Sequence, residues 1–340
     1  MNAENTNGTG QQIKTLMQAV THFADLNAAH DFFTKMRWPD GVVCPRCGST
    51  DVRYSPTYRR FECSHKHDRR QFTVKTGTIM EDSPMGLDKW AVAFWLEVNA
   101  KNSISSYEIH RALGITQKSA WFMLHRIRFA VKSGTFTKMG GNGPIECDET
   151  YVGGLSKNMH LSRRRKAITG TGGTNKAAVM GLLERHSEKG KSQVRAKVIK
   201  NADRDTLHSV IRSNVEQGSH IYTDAWKAYR QLGPEYFHQF VDHAEAYVKG
   251  VVHTNGMENF WSLFKRCVKG THISIDPVHL DAYIDSEAFR FNHRKLDDGQ
   301  RFTLAVQSMS GKRLTYKALI GALEDAPGSD KGAENGNLPN

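Results

Sequence analysis

Residues 143–154 read GPIECDETYVGG. The run is strand-like and stops at paired glycines. Side chains alternate across a strand, so Glu146, Asp148 and Thr150 share one side, while Ile145, Cys147 and Glu149 share the other. A second apolar run, SHIYTDAWKAY at 219–229, ends its strand portion on an acid, Asp224. Acids at the ends of two otherwise apolar strands suggest one paired site. The plain alternative is a strand-end aspartate that caps its own turn, and either acid taken alone fits that as well.

The stretch HTNGMENFWSLFKR at 253–266 bears on the choice. Met257, Phe260, Trp261 and Phe264 recur at helical spacing and make one apolar face. Glu258 and Lys265 are seven residues apart, two turns, so they lie on one side roughly 10 Å apart along the axis. A carboxylate there can complete a metal site with Asp148 and Asp224. Lys265, with Arg266 beside it, can hold a phosphate beyond. Two divalent ions held by three carboxylates suit in-line phosphoryl transfer, and hard oxygen donors point to Mg²⁺ or Mn²⁺. Without the strand acids, a Glu and a Lys on one helix would be a solvated face.

A separate metal module precedes these segments. CPRCGS places Cys44 and Cys47 on a tight knuckle, and Cys63 follows in CSHKH. Two thiolates at this spacing take one edge of a zinc tetrahedron. Cys63 supplies a third ligand, and Lys66 stands where a fourth cysteine would fall. His65 and His67 compete for the last position. One intervening residue is too few for two ligands on one turn, which favours His67. A redox pair would need a thioredoxin-like βαβ pattern, which does not follow.

The 340 residues carry 47 Lys and Arg against 35 Asp and Glu, a net charge of +12. That excess suits a polyanionic partner such as DNA or RNA. The five cysteines are odd in number and there is no export signal, so a reducing, cytoplasmic setting is expected rather than a disulfide framework. No apolar run reaches membrane-spanning length. Periodicity predicts a helix over 12–37, hairpins over 52–80, and helices over 86–132. Within the last segment, 105–131 reads as a helix-turn-helix: Ser105 or Ser106 caps the first helix, Gly114 turns left-handed, and Thr116 caps the second. Gln117, Lys118 and Ser119 would then face DNA; the alternative is an ordinary helical hairpin.

Together these pieces resemble the bacterial insertion-sequence transposases with a zinc ribbon and a DDE core, the group often called ISXO-two-like. The resemblance runs from WPDGVVCPRCGS through IECDETYVGG, IYTDAWKAY, HTNGMENFWSLFKR and FRFNHR. It implies an α/β catalytic core, an RNase H-like mixed five-stranded sheet with helices on both faces. It also implies a catalytic triad of Asp148, Asp224 and Glu258, with Lys265 as the basic residue on the same helix. In some relatives an Asn takes the third acid's place, so Asn255 stands as rival or helper to Glu258. SRRRKAITGTGGTNK looks like the family's basic insert, with Arg163, Arg164 and Arg165 toward DNA. The expected boundaries are a tail and helix over 1–38, the ribbon over 39–82, the helix-turn-helix over 86–132, a linker over 133–143, the core over 144–310, and a C-terminal helix and disordered tail over 311–340. The expected activity is metal-dependent hydrolysis and strand transfer at inverted repeats of double-stranded DNA, by a homodimer or larger synaptic assembly. An inactive DNA-binding relative, or a host nuclease of the same fold, is the alternative.

Overall fold

The computed structural model describes residues 13–132, 137–153, 176–186, 188, 191–225, 227–229, 231–233, 235–241 and 252–321. The first helical stretch is two helices, not the single one that periodicity predicts: α1 (Leu16–Ala24) and α2 (Leu26–Arg37). The break falls at Asp25, whose carboxylate accepts the Asn27 N–H at 2.9 Å and so caps α2. An aspartate that can satisfy an orphan N–H favours starting a new helix over continuing the old one.

Three short antiparallel strands follow: β1 (Val52–Ser55), β2 (Arg60–Cys63) and β3 (Gln71–Phe72). Phe61 pairs with Phe72 across them, and Trp38 closes edge-on over both rings. Helices α3 (Leu87–Asn99), α4 (Ser106–Leu113) and α5 (Gln117–Val131) come next. Ser105 and Glu108 form a reciprocal capping box on α4, Gly114 is left-handed (φ 59°), and Thr116 caps α5. Ala120, Leu124 and Ile127 of α5 are buried.

The remaining strands are β4 (Ile145–Val152), β5 (Ala177–Glu184), β6 (Gln193–Ile199), β7 (His220–Asp224) and β8 (Phe237–Val241). Their order is β6-β5-β4-β7-β8. The first three pair antiparallel, and β4–β7 and β7–β8 pair parallel. This is the mixed five-stranded, RNase H-like sheet that the resemblance implies. One face packs Ile145, Cys147, Met180 and Leu182 on α6 (Arg204–Asn214). The other packs Val179, Leu183 and Val194 on α7 (Asn255–Cys267) and α8 (Leu280–Asn292). Apolar residues run continuously along β5 because both its faces are covered.

Residues 137–143, read as linker, dock on the core through buried Met139, which bridges to Val215. Helix α9 (Asp298–Gln307) sends Phe302, Ala305 and Val306 into the N-terminal apolar cluster, and the short α10 (Tyr316–Leu319) leans on Trp121 and Phe122. No helix among the described residues is long and apolar enough to cross a membrane.

A buried ionic knot ties the helical layer to the sheet domain. Glu97 on α3 accepts from Arg128 on α5 at 2.8 and 3.2 Å and from Ser286 on α8 at 2.7 Å. Arg290 on α8 donates to the Glu97 carbonyl at 3.0 Å and pairs with Glu287. Glu97 and Arg128 are almost fully buried. Removing one partner leaves the other charge uncompensated in a low dielectric, so Glu97→Ala is expected to lose about 3–5 kcal/mol of stability. Denaturant unfolding checks this; a midpoint equal to wild type would contradict it.

Candidate functional site

Sheet geometry brings the strand acids together. β4 and β7 are parallel neighbours with Glu146 opposite Tyr222. Two residues further along each strand come Asp148 and Asp224. Asp148 faces α7, where the Trp261 Nε1–H donates to its Oδ2 at 3.1 Å and the Glu149 N–H donates to its Oδ1 at 3.0 Å. That approach depends on Gly181, the partner of Asp148 on β5. A Cβ at Gly181 would stand 2.6 Å from the Trp261 ring and 2.2 Å from the end of Met257.

Glu258 lies in the first turn of α7, and the Thr254 hydroxyl donates to its Oε1 at 3.2 Å. It shares a cavity of about 590 Å³ with Asp148, Glu149, Trp261, Lys265, Arg266 and Lys269. The three cations are exposed and project from one side of α7 and the turn after it. Asn255 is exposed and does not line that cavity.

The acids crowd one another. Burial pushes Asp148 up to about 7, helped by the charges of Glu149, Asp224 and Glu258 and opposed by the Glu149 N–H. Glu149 is raised too, first by burial and also by Asp224; against this, the Tyr229 hydroxyl donates to its Oε2 at 2.5 Å. Sequence reasoning assigned Glu149 only to the far side of the strand. Its adjacency to Asp148 was the signal that it would share the acidic neighbourhood. The two sit in the middle of β4, which runs on to Val152, and not at the strand end that the sequence suggested. Oxygen donors massed at the cost of mutual repulsion fit a hard divalent cation such as Mg²⁺.

In the ribbon, Cys44, Cys47, Cys63 and His67 place their ligand atoms within 4.8 Å of one another. Cys44 Sγ stands 3.5 Å from His67 Nε2, and Cys47 Sγ stands 3.6 Å from Cys63 Sγ. A zinc tetrahedron with 2.3 Å bonds to sulfur has edges of ~3.7 Å, so the donor set fits Zn²⁺. The His67 Nδ1–H donates to the Asp68 carbonyl at 2.8 Å, which leaves Nε2 unprotonated toward the sulfurs. Burial resists a thiolate at Cys44, but N–H groups of Cys47 and Arg46 bring its thiol down to about 7. His65 stays outside the cluster. Among the described residues the acids form no second cluster of that closeness.

Residues 141–292 match the ISXO2-like transposase domain, and residues 25–68 match the transposase zinc-ribbon domain. The chain belongs to the ISXO2-like transposases. A protein of Halobacterium salinarum described as an uncharacterized protein in transposable element ISH50 is 26% identical over 79% of this transposase and 91% of its own length. An uncharacterized transposase-like protein of Haemophilus influenzae is 29% identical over 31% of this chain and 86% of its own length.

The expected DNA-facing residues have mixed fates. Gln117 donates to Ser106 at 2.9 Å, and Ser119 accepts from Thr116 at 2.9 Å. Lys118 is exposed, with its ammonium 4.5 Å from the Tyr316 ring centre. Arg163, Arg164 and Arg165 lie outside the described residues.

Two outcomes follow for this transposase. A buried acid raised from 3.8 to about 7 holds its proton in the fold but not in the unfolded chain, so its burial costs stability that grows as pH rises through that window. Asp148→Asn is therefore expected to stabilise the metal-free protein at pH 8, by ~4 kcal/mol at most, with the gain vanishing toward pH 4. Thermal melts in chelator check it, and an equal gain at both pH values would contradict it. For the ribbon, elemental analysis of His67→Ala is expected to show zinc lost, while His65→Ala keeps it.

Proposed function

We propose that this transposase binds the ends of an insertion sequence, cuts one phosphodiester at each, and joins the freed end to target DNA. The observation that carries the reading is the shared cavity: Asp148 and Glu258 face exposed Lys265, Arg266 and Lys269 across it, with Asp224 beside Asp148 on the next strand. Such a site has acids for divalent cations and cations for a phosphate backbone, side by side.

In the first step a water oxygen forms a bond to phosphorus as the P–O3′ bond breaks, leaving a 3′-hydroxyl. In the second, that hydroxyl attacks a target phosphodiester in the same way. Mg²⁺ or Mn²⁺, when bound, would activate the attacking oxygen and stabilise the leaving one. Asp148 and Asp224 hold the cations from the sheet, and Glu258 holds them from α7. Trp261 fixes the rotamer of Asp148 through its indole N–H. Lys265, with Arg266 and Lys269, orients the substrate backbone. These contacts position the phosphate and carry no sequence information.

End recognition would fall to the zinc ribbon and to the α4–α5 hairpin, where Arg111 and Lys118 are exposed cations. Gln117 and Ser119 would have to give up their internal bonds to reach a base. An element has two ends and the described residues of each chain carry one such acid set, so the working species would be a dimer or larger assembly.

The test incubates the purified chain with Mg²⁺ and a labelled duplex carrying an element end, beside Glu258→Ala. Nicking and joining by wild type, with binding alone by the variant, is the expected result. Binding without cleavage by both would favour a DNA-binding relative that has lost catalysis. Cleavage without joining would favour a nuclease.

A further inference from the structure

Glu146, two residues before Asp148 on the same side of β4, plays no part in the chemistry above, yet it is almost fully buried. Its Oε1 accepts from Arg185 Nε at 2.6 Å, and its Oε2 accepts the backbone N–H of Met257 at 2.8 Å. Met257 is the residue before Glu258. The carboxylate therefore reaches from the sheet to the first turn of α7, where unpaired helix N–H groups attract negative charge.

Arg185, just past the end of β5, ties the same turn from its other side. Its Nη2 donates to the His253 carbonyl at 2.7 Å and approaches His253 Nδ1 at 2.6 Å. An arginine nitrogen only donates, so this Nδ1 accepts, and it also receives the Asn255 N–H at 3.3 Å. The ring is then neutral, and its 3.6 Å approach to Glu146 is not an ion pair. The Arg185 guanidinium lies 5.0 Å from the Tyr222 ring centre on β7, two residues before Asp224. Gly256 has no side chain to spare: a Cβ there would stand 2.8 Å from the Glu146 carboxylate.

We propose that Glu146, Arg185 and His253 form a positioning clamp that sets where Glu258 sits relative to Asp148. The clamp touches β4, the end of β5, β7 and the first turn of α7, the elements that carry or flank all three acids. It explains why HTNGM precedes the acid: His253 accepts, Thr254 holds the Glu258 carboxylate, Gly256 lets Glu146 in, and Met257 donates to it. The inference rests on the reading of the acids as a cation site, so its test reads the clamp and the cation separately.

The test measures hydrogen exchange and Mn²⁺ binding, the latter by electron paramagnetic resonance, on the full chain. Wild type is compared with Glu146→Gln and Asp148→Asn. Arg185→Lys serves as a second clamp variant should the first fail to fold. The expected result is loss of protection confined to amides 255–260, with Mn²⁺ affinity falling about 10- to 100-fold. A purely structural role would instead loosen β4 and β5 as well and leave Mn²⁺ affinity unchanged while the chain stays folded. Protection equal to wild type, or a loosened turn that still binds Mn²⁺ within twofold of wild type, overturns the clamp. If wild type binds no more Mn²⁺ than Asp148→Asn, the cation reading falls, and the exchange result alone decides the clamp.

Discussion

Helix α7 lies directly on β4 and β5, and the rest of the site depends on that contact. It is possible because Gly181 and Gly256 remove the two side chains that would hold the helix off. Into the space go Met257, Trp261 and the Glu146 carboxylate. The apolar face of α7 drives the docking, since Met257, Phe260 and Phe264 are fully buried and Trp261 nearly so. Each such side chain gains on the order of 1.5–3 kcal/mol by leaving water. The polar contacts set the helix's position: an indole N–H on Asp148 and a backbone N–H on Glu146 fix register and rotation.

That stability works against a cost built into the site. Asp148 is buried among like charges, which opposes folding near neutral pH when no cation is present. Packing on both faces of the sheet holds the acids in place despite their repulsion. The helical layer adds a second restraint. Glu97, Arg128 and Arg290 join α3 and α5 to α8, which packs on the same sheet face as α7. The parts expected to grip DNA are thus bonded to the part expected to cut it.

Much of this was legible in the sequence, for local reasons. Asp148 and Asp224 stood out as acids of two otherwise apolar strands, and Glu258 as an acid on the helix with the aromatic face. Asp224 does end its strand, whereas Asp148 lies in the middle of β4 because that strand continues its pairing with β5 to Val152. The cysteine knuckle and Cys63 after it gave three zinc candidates by spacing, and chain geometry favoured His67 over His65. What stayed hidden depends on distant segments. Nothing near Glu146 announces Arg185 or the Met257 N–H, because the contact exists only once α7 docks. Arg128 looks like a surface charge until Glu97, on another helix, is placed against it. Helix α9 is amphipathic, but its pattern does not say that the partner is the N-terminal cluster. The break at Asp25 shows the reverse limit: apolar periodicity ran through a residue whose side chain ends one helix and starts another.

The most direct measurement is a crystal structure of the full chain grown with Mn²⁺ and an element-end duplex, with manganese located by anomalous scattering. The account predicts manganese bonded to carboxylate oxygens of Asp148 and Asp224, with Glu258 at the same centre and Lys265 against a DNA phosphate. Manganese seated elsewhere, or a bound duplex with Glu258 turned away from Asp148, would contradict it.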